Sequence, residues 1–194
     1  MLCAAGCGTA SKAYYGAWEK VGYHKRDILV SRVEKARDGQ EEAKETFKDA
    51  LERFKEVVDV DGGDLQAKYD KLRAELKGCE RRAGGVHDRV DSVEKVAEAL
   101  FKEWNGELDQ YTDAGLRHAS EQQLRDTRRS YDRMFDAMRK AESTIDPVIS
   151  AFRNQVLFLK HNLNARAIAS IQTTAAQLEG DIAALICDME RSIA

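Results

Sequence analysis

The clearest candidate for chemistry in this sequence is Cys7, which follows the small residues Ala4, Ala5 and Gly6. Small residues directly before a cysteine are typical of a bacterial lipoprotein signal, where the cysteine becomes lipidated after cleavage. A secretory signal also has a basic start and an apolar core of about 7–15 residues. Only six residues precede Cys7, so on this motif alone it is either a lipidation site behind a shortened start or an inert tail cysteine.

A second candidate is a row of arginines, Arg125, Arg129 and Arg133, which are spaced four residues apart. Residues four apart lie on one face of a helix, so these guanidinium groups can contact lipid phosphates or an acidic partner. Aspartates such as Asp126 and Asp132 alternate with them. Such alternation is typical of a solvated face with ion pairs, which is the alternative interpretation of the row.

The third candidate is the densest polar group in an apolar neighbourhood, formed by His161, Asn162, Asn164 and Arg166. It is interpreted either as a turn or capping cluster or as a ligand site. The heptad phase also slips in this segment. The chain therefore either turns here, so that a fourth helix packs back, or continues as one helix that pairs with a second subunit.

Metal and cofactor motifs do not occur in the sequence. Bundles that bind two iron ions place Glu-x-x-His motifs on two helices, and the nearest approach here is a single reversed pair, His118 and Glu121. We therefore predict no metal site, no cofactor and no catalytic residue, and a protein that is not an enzyme.

The composition favours long, solvated helices. Charged residues make up 34% of the 194 positions, and there is one proline. The net charge of -3 gives no global attraction to nucleic acid, so we expect no nucleic-acid partner. No apolar run reaches about 18 residues, and no transmembrane helix is predicted.

A heptad stripe organises the chain. From Leu65 to Trp104 the apolar residues are spaced alternately by four and three, which is typical of a helix that packs along other helices. Stripes that begin at Leu29 and Leu124 repeat this spacing, and Gln40 is the one polar residue of the first. We predict an all-α fold, an elongated antiparallel coiled-coil bundle of three long helices plus a C-terminal helical segment.

The ends of these helices are predicted from capping residues. Asp27 is expected to N-cap the first helix, and the segment 61–64 to end it, with Asp64 capping the second. The second helix extends to about Tyr111. The third is expected to start near Ser120, which opens a capping box.

Gly39, Gly84 and Pro147 fall at one level when the three helices are folded as hairpins. In a helix interior, glycine costs about 1 kcal/mol and proline about 3 kcal/mol relative to alanine. Their coincidence predicts that the bundle is bent near these residues.

Three strings in the sequence resemble a family of Gram-negative lipoproteins, domain of unknown function 2959. They are Ala13–Gly22 (AYYGAWEKVG), His24–Val30 (HKRDILV) and Phe158–Ala167 (FLKHNLNARA). The similarity covers nearly the whole chain. It implies an exported helical protein anchored through lipid on Cys7, with residues 1–12 as the remaining signal and anchor tail and 13–194 as a single elongated helical-bundle domain; the family has no assigned activity.

Together these features predict a non-enzymatic lipoprotein of the cell envelope that faces the periplasm. It would act as a structural or adaptor protein, with an unidentified protein partner bound through helix faces. The alternative is a crescent-like helical dimer that binds a membrane surface. A homodimer is compatible with either role.

Overall fold

The computed structural model describes residues 24–59, 64–161 and 165–193, and within these ranges it contains α-helices and one short 3₁₀ helix but no strand. The all-α prediction is thus confirmed. The α-helices, numbered here in chain order, are α1 (Lys25–Asp59), α2 (Leu65–Glu107), α3 (Ala114–Ser143), α4 (Ile145–His161) and α5 (Ala165–Ile193). The 3₁₀ helix, Leu108–Gln110, follows α2 directly.

Aspartates cap the starts of α2 and α3. Asp64 Oδ1 accepts hydrogen bonds from the backbone N–H groups of Gln66 at 2.9 Å and Ala67 at 3.2 Å, which confirms its predicted role. Asp113 Oδ1 accepts the N–H of Leu116 at 2.9 Å. Each carboxylate satisfies donors that the first turn of a helix leaves without a partner.

Two predicted helix starts are wrong. The first helix begins at Lys25 rather than Asp27, and Asp27 instead accepts a hydrogen bond from the backbone N–H of His24 at 3.4 Å. The third helix begins at Ala114 rather than near Ser120. The Ser120 hydroxyl accepts a hydrogen bond from Trp104 Nε1 at 2.9 Å, so it links two helices and does not cap one.

The long third helix of the prediction is divided at Thr144, which lies between α3 and α4. The Thr144 hydroxyl donates to the carbonyl of Ala141 at 2.8 Å. Helices α1 and α2 run without interruption through Gly39 and Gly84. The bend expected near Gly39, Gly84 and Pro147 stays a prediction, as does the elongated shape.

The C-terminal helix α5 packs against α4. Its residue Asp188 lies 2.9 Å from Lys140 Nζ on α3, and its Ser192 hydroxyl donates to Gln40 on α1. Of the two interpretations of the segment 161–166, the return of a further helix onto the bundle is confirmed. The continuous helix is wrong.

The chain divides into two compact units. The first combines the chain up to Lys35, described from residue 24, with Asp91–Tyr131. Its core contains Ala97, Phe101, Leu108 and Leu124. The rings of Phe101 and Tyr131 meet edge to face, with centroids 5.4 Å apart.

The second unit combines Ala36–Val90 with the chain from Asp132 onward. Its interior is formed by the heptad stripes of α1 and α2 together with apolar residues of α3, α4 and α5. Phe54 and Phe152 are almost fully buried, and their rings meet edge to face at 5.9 Å. Aromatic pairs in this geometry stabilise a core beyond their buried area.

Candidate functional site

The predicted arginine row lies on α3, where all three side chains are exposed. Arg125 donates to Gln122 Oε1 at 2.8 Å, and Arg129 pairs with Asp126. These local contacts fit the solvated face with ion pairs that was the alternative interpretation. Contact of Arg125, Arg129 and Arg133 with lipid or a partner stays a prediction.

The other predicted site residues lie mostly outside the part of the chain that the structure describes. Cys7 is one of them, and so are Asn162, Asn164 and the side chain of Arg166. His161 is described and is the exposed last residue of α4. Lipidation and the polar cluster therefore remain predictions.

A cluster that the sequence reasoning missed joins α2, α3 and α4 around His87. Its ring Nδ1 lies 2.7 Å from Glu142 Oε1, and its Nε2 lies 3.4 Å from Asp146 Oδ1. Arg139 adds a second charged partner, because its Nη1 lies 2.7 Å from Glu142 Oε2. Glu142 is only 7% exposed, so its carboxylate is held between Arg139 and the His87 ring away from most of the solvent.

The environment of His87 changes its pKa. Partial burial is the largest single influence and lowers the pKa, but hydrogen bonds to Glu142 and Asp146 and their negative charges act in the opposite direction. The net result is a pKa raised above the ordinary value of 6.5. The imidazolium form, in which both ring nitrogens are donors, suits two carboxylate acceptors.

The residues of this cluster could have been brought together by comparing which positions of neighbouring helices lie at the same level in the predicted hairpins. Folding α2 against the following helices at a turn near residue 115 places residue 85 level with residue 145. His87 is then level with residue 143, within one helical turn of both Glu142 and Asp146. The spacing of the four histidines along the sequence does not reveal this cluster, because the partners of His87 are carboxylates on other helices.

Gln40 forms a second polar contact inside the second unit. Its side chain is fully buried. Gln40 Nε2 donates to the backbone carbonyl of Met138 at 3.3 Å, and Gln40 Oε1 accepts from the hydroxyl of Ser192. The one polar residue of the first stripe thus connects α1 to α3 and α5, with both ends of its amide satisfied.

The two described cysteines differ in environment. Cys79 is fully buried at a heptad position of α2, and this burial raises the pKa of its thiol to about 12. It remains a protonated, apolar group in the core. Cys187 is exposed, and both thiols are free.

Residues 24–59, 64–161 and 165–193 contain neither a metal-ligand cluster nor a helix that could span a membrane. Among them, no group of three or more His, Cys, Asp or Glu residues is placed to hold a metal ion. None of the helices in these ranges is long and apolar enough to cross a membrane.

Comparison with known proteins gives one match. No curated protein and no solved structure shows significant similarity to the chain. The model of one family, described as a protein of unknown function, matches residues 14–194. Because this match covers nearly all of the 194 residues, the chain belongs to the family DUF2959.

Proposed function

We propose that this protein is a lipid-anchored helical adaptor of the cell envelope, without enzymatic activity. It would face the periplasm and present helix faces to a protein partner. The proposal combines a sequence feature at the amino terminus with the way in which the helices of the second unit are held together.

The observation that carries the adaptor role is the packed interior of the second unit, with ion pairs between its helices at the surface. Arg153 of α4 lies 2.7 Å from Glu80 of α2. Lys140 of α3 contacts Asp188 of α5 at 2.9 Å. Each exposed pair contributes little by itself, whereas the apolar core and Gln40 hold the helices together. A surface preorganised in this way loses little conformational entropy on binding.

The anchor part of the proposal is supported by the sequence. The small residues Ala4, Ala5 and Gly6 stand directly before Cys7, and the family match begins at residue 14. A lipid on Cys7 would therefore be attached at a residue that precedes the part of the sequence that matches the family. Two or three acyl chains give stable membrane attachment, whereas one chain is marginal.

The packing of α5 supports the adaptor role over a crescent-like dimer on a membrane surface. That alternative requires the C-terminal helix to extend beyond its own bundle and pair with a second subunit. Here α5 packs on α4 and contacts α3 through Asp188. Its buried face, which includes Leu178, Ile182 and Leu185, is already occupied within the chain.

The experiment that tests the anchor uses the gene with its natural upstream DNA in a Gram-negative host. Cells are labelled with radioactive palmitate, and the protein is recovered from membrane and soluble fractions. We expect label and membrane attachment to be lost in Cys7→Ser and retained in the matched control Cys3→Ser. Label that persists in Cys7→Ser, or that never appears in the wild type, would refute the lipid anchor.

A second experiment separates the adaptor from a membrane-surface protein. The unlipidated chain is mixed with anionic vesicles at low salt and sedimented. We expect the chain to stay in solution. Sedimentation that is lost when Arg125, Arg129 and Arg133 are replaced by glutamine would instead favour the membrane-surface role.

A further inference from the structure

A groove of about 820 Å³ lies at the start of α1 in the first unit. The carboxyl-terminal end of α2 and the first half of α3 form its other walls. Its apolar lining consists of Leu29 and Val30 of α1 with Leu100 and Trp104 of α2. Val30 is 54% exposed, so the groove presents apolar surface to the outside of the described structure.

Three of the lining residues belong to heptad stripes that are buried in the second unit. There, Leu72 and Val86 of α2 are at most 1% exposed. At the groove, Leu29, Leu100 and Trp104 are only half-buried. The described part of the first unit contains segments of three α-helices, whereas the second unit contains segments of all five. The described residues therefore cover the stripes less completely at this end.

Residues 14–23, here called the aromatic segment, have a composition that suits such a cover. The segment contains three of the six tyrosines and one of the two tryptophans of the chain. Tyr14, Trp18 and Val21 repeat the 4-3 spacing of the stripes, which is typical of an apolar helix face. Aromatic side chains bury about 150–250 Å² each. The family match begins at residue 14, so the aromatic segment is included in it.

The aromatic segment joins the described chain at the edge of the groove. His24 lines the groove and directly follows the segment. The carbonyl of His24 accepts the backbone N–H groups of Asp27 at 2.9 Å and Ile28 at 3.1 Å, which fixes the point at which the chain enters α1. A group on so short a tether has an effective concentration on the order of millimolar, so weak contacts are sufficient to hold it.

We propose that the aromatic segment packs into this groove of its own chain and completes the core of the first unit. Its aromatic side chains cover the half-buried stripe residues, as apolar residues of α4 and α5 do in the second unit. This inference goes beyond the adaptor role and does not depend on lipidation of Cys7. It assigns the aromatic segment to the protein interior rather than to a membrane interface, where tyrosine and tryptophan are also enriched.

The experiment uses the full, unlipidated chain with Trp104→Phe, which leaves Trp18 as the one tryptophan. Fluorescence emission of Trp18 and its quenching by acrylamide are measured in buffer and in urea. The test substitution in this background is Val30→Glu, which places a charge on the wall of the groove. The matched control is Leu116→Glu, because Leu116 of α3 is 61% exposed and is not part of the lining.

We expect Trp18 in the folded chain to emit at a shorter wavelength than in urea and to be quenched several-fold less efficiently. Val30→Glu should remove most of this protection, because a carboxylate is costly to bury without a partner. Leu116→Glu should retain it. Glutamate is a better helix former than valine, so circular dichroism should show that α1 is not weakened by the test substitution.

A second measurement keeps Trp104 in place. The melting temperatures of the wild type, Trp18→Ala, Val30→Glu and the double variant form a thermodynamic cycle. Each single change should lower the melting temperature by at least about 2 °C. The double variant should lose less than the sum, because either change alone releases the segment from the groove. This cycle decides the outcome if Trp104→Phe itself disturbs the groove.

The proposal is wrong if the effects in the cycle are strictly additive. Protection of Trp18 that disappears on dilution, together with dissociation of a dimer, would show that a second copy fills the groove and would overturn the proposal. Protection that appears only after addition of phosphatidylglycerol vesicles would place the segment at a membrane, and this result would also overturn it.

Discussion

His87 Nδ1 lies 2.7 Å from Oε1 of Glu142, a buried carboxylate on a different helix. The same imidazole reaches Asp146 at 3.4 Å through its other nitrogen. Since Glu142 belongs to α3 and Asp146 to α4, the ring of His87 connects the two helices on either side of the interruption at Thr144. We therefore expect the packing of α2 at that interruption to depend on the protonation of His87.

The first prediction is that His87 makes stability depend on pH. A group whose folded pKa is raised contributes stability that is fully present below its unfolded pKa, here 6.5, and is lost as the pH rises through the folded value. The free energy of unfolding in urea should therefore decrease from pH 6.5 upward. His87→Asn should be less stable at low pH and show a flatter profile, and an unchanged slope would contradict this prediction.

The second prediction concerns the two carboxylates that face His87. Glu142→Gln should lower the pKa of His87, because it removes the closest negative charge, and should destabilise the fold by about 1–3 kcal/mol. Asp146→Asn is the matched control, since that side chain is 74% exposed, and it should lower the pKa less. NMR titration of the His87 ring measures the change in its pKa in each variant. Equal changes would contradict the conclusion that Glu142 influences His87 more than Asp146 does.

Much of the core follows from the heptad spacing. Within α2 the stripe positions Leu72, Cys79, Val86, Val90 and Val93 are all at most 1% exposed. The reason is geometric: a 4-3 repeat keeps one face of a helix directed at its neighbours. The same spacing cannot identify His87, because its position is off the stripe and its partners lie on other helices.

Helix boundaries depend on hydrogen bonds that spacing does not report. Pro147 was expected to weaken the interior of a long third helix. The helix is instead interrupted at Thr144, and Pro147 is the third residue of α4. A proline in the first turn of a helix lacks only an N–H that would have no helical partner. Likewise α3 begins well before its apolar stripe, because Asp113 caps it.

The third prediction tests the buried amide of Gln40. Gln40→Ala should reduce the free energy of unfolding by about 1–3 kcal/mol, since it leaves a cavity and removes the partner of a buried hydroxyl. Gln40→Leu combined with Ser192→Ala should be much closer to the wild type, because both polar partners are then replaced by apolar groups. Urea unfolding of the wild type, Gln40→Leu, Ser192→Ala and the double variant forms a thermodynamic cycle. Strictly additive effects would mean that the two side chains do not interact.

The fourth prediction tests the start of α3. Asp113→Ala should cost about 1 kcal/mol, the usual effect of removing an N-cap. Asp109→Ala is a control for charge, because Asp109 of the 3₁₀ helix pairs with Arg117 of α3 but lies on the surface, where ion pairs contribute little. Chemical denaturation of both variants gives the comparison, and equal losses would indicate a charge effect rather than capping.

The fifth prediction separates two glycines in helix interiors. Gly84→Ala should raise the free energy of unfolding by about 1 kcal/mol, because alanine is the better helix former and an added Cβ meets nothing within 4 Å. Gly39→Ala should gain less or lose stability, because its Cβ would displace the side chain of Arg89. Shortening that side chain in Arg89→Ala removes the collision. In this background Gly39→Ala should recover a gain similar to that at Gly84, whereas a persistent loss would show that the backbone around Gly39, rather than Arg89, requires glycine.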